Sequence, residues 1–271
     1  MKVANYFFFL FIFQTCFDLT CYSQNDCMNI KTLEPQTLYP VKPFPQVRVN
    51  EVLWQRRLWR EIDLSEKQNQ HLYFPKEDEK KNCSLYDILF YYIEKGLITA
   101  YDTKDDAFTK ELTTAEVINI IGDSLWNEQS KSLIYMNLNS RDVVKYWLKE
   151  DWFFNSVYSK IEVRIIGICP VKVKKDEKGN VMGYQQLFWL YFPNIRGVLV
   201  NFEAIKKLKE DDERISFDDV FFKRIFNSYI IQKEGNQNLE VKENLTELDI
   251  RLESEQTKIY FLNKQTKLWG N

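Results

Sequence analysis

From Ser140 to Pro170 the chain reads SRDVVKYWLKEDWFFNSVYSKIEVRIIGICP, and its apolar positions predict a helix, an aromatic corner and a buried strand. Ser140 is a good N-cap, with Asp142 favourable at the positive end of a helix. Val143, Val144, Trp147 and Leu148 share one stripe at helical spacing, and Trp152, Phe153 and Phe154 crowd the corner where that helix would end. Beyond it Ile161, Val163 and Ile165 point one way, and Glu162, Arg164, Ile166 and Ile168 the other. A strand apolar on much of both faces has to be covered on both sides.

The same reading places elements along the rest of the chain. Val52-Leu53-Trp54 starts ordered structure, a strand followed by a loop. Ser84 and Gly96 are the cap signals of a helix over 85–95, and Leu97–Tyr101 suits a short strand. Thr113-Thr114-Ala115-Glu116 is a capping box that opens a helix through Ile121, stopped by Gly122. Residues 125–139 are weakly patterned. Tyr184–Phe192 reads as a second strand of the meander, broken by Pro193-Asn194, and Arg196–Val200 as a third. Asn201 caps a predicted helix to about Lys209. Ser216-Phe217-Asp218-Asp219 opens another, through Phe226, with Phe217, Val220, Phe221, Ile225 and Tyr229 as a bulky face. Val241, Leu245, Leu248, Leu252, Ile259 and Leu262 step by four and three, the pattern of a long C-terminal helix. The fold class expected is α+β, an antiparallel meander sheet covered by helices.

Composition adds little to the fold but narrows the function. Of 271 residues 45% are hydrophobic and 15% aromatic, enough for a sizeable core. The 37 basic and 39 acidic residues nearly cancel, so no strong field toward nucleic acid or anionic lipid arises. Lys2 and the apolar run Tyr6–Phe13 have the form of a signal peptide, with Cys21 and Ser23 as the small residues before a cut that leaves Gln24 first. The run is well short of the ~20 residues of a spanning helix, and the nearby cysteines lack a lipobox. Residues 1–23 are thus expected to be a signal peptide, 24–50 an extended arm carrying Pro35, Pro40, Pro43 and Pro45, and 51–271 a single domain. An exported chain retains Cys27, Cys83 and Cys169, from which the sequence cannot choose a pair. Cys169, ending an apolar strand, is expected to be a buried thiol.

Catalytic and cofactor signatures are missing. The single histidine, His71, stands alone, and no GxSxG elbow, Walker loop, GxGxxG or HExxH occurs. The neighbouring acids Glu150-Asp151 and Asp218-Asp219 have the composition of a carboxylate pair, but capping and solvation explain them more simply. No enzyme activity and no cofactor are expected. A soluble periplasmic binding or hydrolytic protein that uses surface carboxylates is the alternative.

Six motifs in order then carry a resemblance: LWREIDLSEKQNQHLYFP, LITAYDTKDDAFT, VVKYWLKEDWFF, IEVRIIGICP, LFWLYFP and SFDDVFFKRIFNSYI, with Leu268-Trp269 near the end. From about Leu53 onward the chain resembles the GldN/PorN family of the type IX secretion and gliding apparatus of Bacteroidetes. The resemblance implies a non-enzymatic periplasmic component at the inner face of the outer membrane. Such a protein assembles into a ring with a GldK/PorK-like lipoprotein and contacts a GldM/PorM-like inner-membrane motor protein. Membrane contact would be indirect, and no catalytic or metal residues are implied. As subunit contacts the residues themselves offer Arg56, Arg57 and Arg60, with Trp147, Trp152 and Phe153 as aromatic candidates that are mostly core.

Overall fold

The computed structural model describes residues 39–73, 84–104, 106–127, 132–136, 140–175, 180–205 and 213–233, together with six single positions between 256 and 267. Its centre is three long strands, β1 (Val52–Asp63), β6 (Val143–Asn155) and β7 (Lys160–Lys175). The short strands β2 (Ala100–Tyr101), β3 (Glu111–Leu112), β8 (Val181–Gln186), β9 (Trp189–Tyr191) and β12 (Tyr229–Lys233) complete one sheet. The order is β12-β1-β6-β7-β9-β2-β3, with β8 also on β7. All its pairings are antiparallel. Two hairpins stand apart from it. They are β4 (Asp123–Asn127) with β5 (Ser132–Met136), and β10 (Glu203–Ile205) with β11 (Ile215–Ser216).

The segment predicted as a helix over 143–148 is therefore strand β6. Val143, Val144, Trp147 and Leu148 satisfy both periods because β6 carries large apolar groups on both faces. β-Branched and aromatic residues favour the pleated surface, and β6 pairs from end to end with β1 and β7. Only Ser140–Asp142 is helical, as one 3-10 turn.

Among the described residues up to Lys233, five α-helices flank the sheet. α1 (Gln70–Tyr73) is a single turn. In α2 (Leu85–Glu94) Ser84 is the N-cap expected and, with Asp87, closes a full capping box; in α3 (Thr114–Ile121) Thr113 and Glu116 close the box expected of them. α5 (Phe217–Phe222) opens on the Ser216–Asp219 box and ends before Phe226. The third meander strand expected over 196–200 is instead α4 (Phe192–Leu199). Pro193 sits in its first turn, where a missing N–H costs nothing, and Phe192, Ile195, Arg196 and Leu199 are buried at helical spacing. Of the helix expected from Asn201 to about Lys209, Glu203–Ile205 is the strand β10 and 206–209 lie outside the described residues; the weakly patterned 125–139 holds the described strands of the β4–β5 hairpin. Gln256, Ile259, Tyr260, Asn263, Thr266 and Lys267 are helical; the rest of the expected C-terminal helix lies outside the described residues.

Most of the described core is one cluster, with Leu58 and Ile230 forming a second, smaller one. Ile62, Tyr146, Leu148, Ile165 and Ile168 from the sheet pack with Leu85 and Leu89 of α2, Val117 of α3, Ile195 and Leu199 of α4, and Phe217 and Phe221 of α5. Cys169 is a free, fully buried thiol on β7, and burial pushes its pKa far up. Cys27 and Cys83 lie outside the described residues.

Candidate interaction surface

Alternation along β1 and β6 sorts the candidate residues onto two faces. On the helix-covered face Glu150 is fully buried. Its carboxylate accepts from Arg224 Nη1 at 2.8 Å and from Trp152 Nε1 at 2.8 Å, with Arg60 Nε 3.9 Å away. Arg60, also buried, donates to Ser228 Oγ at 2.9 Å and to the Ser228 carbonyl at 2.7 Å. Arg224 reaches the cluster from a left-handed backbone (φ 56°) just past α5. The cluster joins β1, β6 and the α5–β12 connection.

The opposite face is a ladder of cross-strand pairs. Arg57 grips Asp151 through two bonds of 2.7 and 2.8 Å. Glu61 accepts from Lys145 at 2.7 Å and from Trp147 Nε1 at 2.9 Å. Lys149 pairs with Asp106 at 3.0 Å, and Trp59 Nε1 donates to the same carboxylate at 2.5 Å. The loop between β2 and β3 thereby lies on the sheet, with Phe108 edge-on to Tyr101, Trp189 and Tyr191.

A third constellation was not foreseen. The described part of the Pro-rich arm lies along the body as a strap. Lys42 bonds Asp219 at 2.9 Å, and Phe44 stacks on Phe222 at 5.0 Å. The guanidinium groups of Arg164 and Arg196 lie 4.4 and 4.5 Å from the Phe44 ring centre. Arg196 is buried against Asp218 through bonds of 2.7 and 2.9 Å and donates to the Lys42 carbonyl at 2.8 Å. Burial opposes ionisation of Asp219, but hydrogen bonds from Lys42 and Ser216 outweigh it and hold the carboxyl below its usual range. The sequence signal was present: alternating prolines around Lys42 and Phe44 mark an extended, preorganised segment. What it docks on could not be read from it.

The six candidates thus separate. Arg56 is exposed, Arg57, Trp147 and Trp152 are half-buried, and Arg60 and Phe153 are buried. Glu150 and Asp151 point to opposite faces, each bound to arginine, so they cannot work as a carboxylate pair. They lie mid-strand, and ion pairing rather than capping accounts for them. Asp219 caps α5 as expected, whereas Asp218 is buried on Arg196. Burial is the main cause holding the His71 imidazole below its ordinary range. Among the described residues no group of His, Cys, Asp and Glu has the arrangement of a metal site.

A family model described as gliding motility associated protein GldN matches residues 47–270. The chain belongs to the GldN family. The match runs from just before β1 to the penultimate residue, so the whole sheet and every described helix lie inside it. GldN proteins are components of the gliding motility and type IX secretion machinery, a structural family within a complex of Gld and Por proteins. No curated protein matches the chain. Among the described residues no helix is long and apolar enough to cross a membrane.

Proposed function

We propose that this GldN-family chain is a non-enzymatic periplasmic building block of the type IX secretion and gliding machine. It assembles with copies of itself and a GldK/PorK-like lipoprotein into a ring at the inner face of the outer membrane. It also meets a GldM/PorM-like motor protein from the inner membrane. The observation that carries this reading is the family match over 47–270. The engagement of the acids that sequence singled out supports it: Glu150, Asp151, Asp218 and Asp219 are each held by an arginine or lysine. Residues 1–23 act as the export signal, and 51–271 as one domain.

Arg56, together with the accessible parts of Arg57, Trp147 and Trp152, is the portion of the candidate set that can touch a neighbour. Those groups lie on two faces, Arg56 and Trp152 with Arg60 on one, Arg57 and Trp147 with Phe153 on the other, and Arg60 and Phe153 contribute by holding these faces in shape. The test is a pull-down from membranes with native mass determination of the eluted complex. Co-elution of an outer-membrane lipoprotein in a very large assembly is expected. A monodisperse soluble monomer without it would overturn the reading in favour of a binding protein. Arg56→Ala/Arg57→Ala is expected to weaken co-purification and secretion while leaving the fold intact.

A further inference from the structure

The groove that holds the strap is built wholly from residues 164–222, and the strap itself is Tyr39–Pro45. Every contact between them is therefore a contact between a folded body and a linear peptide. The groove reads that peptide in detail. Arg214 lies 4.1 Å from the Tyr39 ring centre, and Asn201 Oδ1 accepts from the Tyr39 N–H at 3.1 Å. Asp219 takes the Lys42 ammonium, and Phe44 is received by Phe222 and two guanidinium groups. Arg196 and Arg164 bind the carbonyls of Lys42 and Pro45 at 2.8 and 3.2 Å. Pro40, Pro43 and Pro45 stiffen the peptide and remove N–H groups that would need partners, so little order is lost on docking. Arginine, aromatic rings and a carboxylate facing a proline-fixed strand form a peptide-recognition site.

We propose that in the assembled protein this groove takes the Tyr39–Pro45 strap of a neighbouring copy. The proposal rests on the self-association reading above. The connection from strap to β1 lies on the surface, its Arg48–Glu51 bonds staying within the turn while Ser156 holds the Glu51 carbonyl where β1 begins. Arg48, Val49 and Asn50 are exposed, with Val49 at 92%, and the 3-10 turn Val49–Glu51 buries no residue. Residues 46–51, extended, span roughly 20 Å, enough to cross to an adjacent body. Each strap–groove bond made within one chain forms identically between two, so exchange costs the opening of the Arg48–Glu51 turn and the difference in connection entropy. Neighbours held side by side offer the groove at about millimolar effective concentration. Exchange of an identical element is a low-cost route to linked subunits, and its head-to-tail form is the one that closes into rings.

The Lys42–Asp219 ion pair supplies its own reporter. Unlabelled and nitrogen-15-labelled full-length mature chains would be mixed in equal amounts, dissociated and reassembled with their co-purified membrane partner. A zero-length carbodiimide then couples Lys42 to Asp219, and the digest is read by mass spectrometry. Exchange is expected to give mixed-isotope Lys42–Asp219 peptides as abundant as the two like-isotope forms together. Like-isotope peptides alone, from material that sediments as an assembly, would overturn exchange and leave self-association standing. The same result from a monomer would overturn both. Absence of any Lys42–Asp219 amide would overturn the groove itself.

Discussion

At the scale of single residues, the largest expected costs of substitution lie with a few buried charges. Glu150 is fully enclosed, and the Arg60 guanidinium beside it is nearly so. Glu150→Ala leaves the buried Arg60 and the partly exposed Arg224 without their carboxylate, and is expected to cost about 3 kcal/mol. A lowered denaturant midpoint with unchanged slope would show it. Arg56→Ala, on an exposed side chain, should stay within about 0.5 kcal/mol, which makes it the safe surface variant. His71 gives a pH signature because it is the only histidine. Its folded pKa lies below the ordinary 6.5, burial being the main cause, so the folded chain takes up the proton less readily than the unfolded chain. Its contribution is present above that value and is lost as pH falls through the folded one. Going from about pH 7 to about pH 5 should therefore lower the melting temperature more in the native chain than in His71→Gln. Equal losses would mean the imidazole is not the group responsible.

At the scale of elements, what was legible in the sequence was what is local. Ser84, Thr113 and Ser216 announce their helices because a capping box is completed within four residues, whatever lies across the molecule. Val143–Leu148 misleads because an apolar stripe at helical spacing is also a run of strand residues apolar on both faces. Only pairing with β1 and β7, invisible locally, decides between them. Arg196–Val200 misleads in the opposite sense, since Pro193 starts a helix as readily as it ends a strand. The candidate site suffered likewise: neighbours in sequence, Arg56 with Arg57 and Glu150 with Asp151, are placed on opposite faces by strand alternation. The loop between β2 and β3 makes an element-scale prediction. A Cβ on Gly167 would stand 2.6 Å from Phe108 Cζ and 3.2 Å from Trp189 Cε3. Phe108 is hemmed in by Tyr101, Trp189 and Tyr191 and cannot simply swing away. Gly167→Ala is expected to destabilise by about 1–3 kcal/mol and to speed amide exchange in the loop ahead of the sheet. Unchanged exchange there would mean that the loop does not depend on this contact.

At the scale of the whole molecule, the sheet ties together parts of the chain that no local signal connects. Leu58 faces Lys233 across β1 and β12, while the other edge of β1 runs along β6 from Val52 to Asp63. A single apolar cluster reaches from Ile62 to Phe221, and the Glu150 network adds Ser228 beyond it. The strap then fastens residues before β1 to helices α4 and α5. Among the described residues up to Lys233, the central strands take partners from early and late parts of the chain. Unfolding should accordingly be one cooperative event. Tryptophan emission reports all seven tryptophans, among them Trp54, Trp59, Trp147 and Trp152 on the long strands and Trp189 on β9, and far-ultraviolet dichroism reports the backbone as a whole. The two are expected to trace coincident denaturation curves. A chain cut after Phe226 should fail to give that transition, since it loses β12, with Ile230 packed on Leu58, and the Ser228 partner of Arg60. Two separated transitions in the full chain, or a folded product from the cut one, would show that the body is divided after all. The rigid block that the proposed ring requires would then have to come from the assembly and not from the subunit.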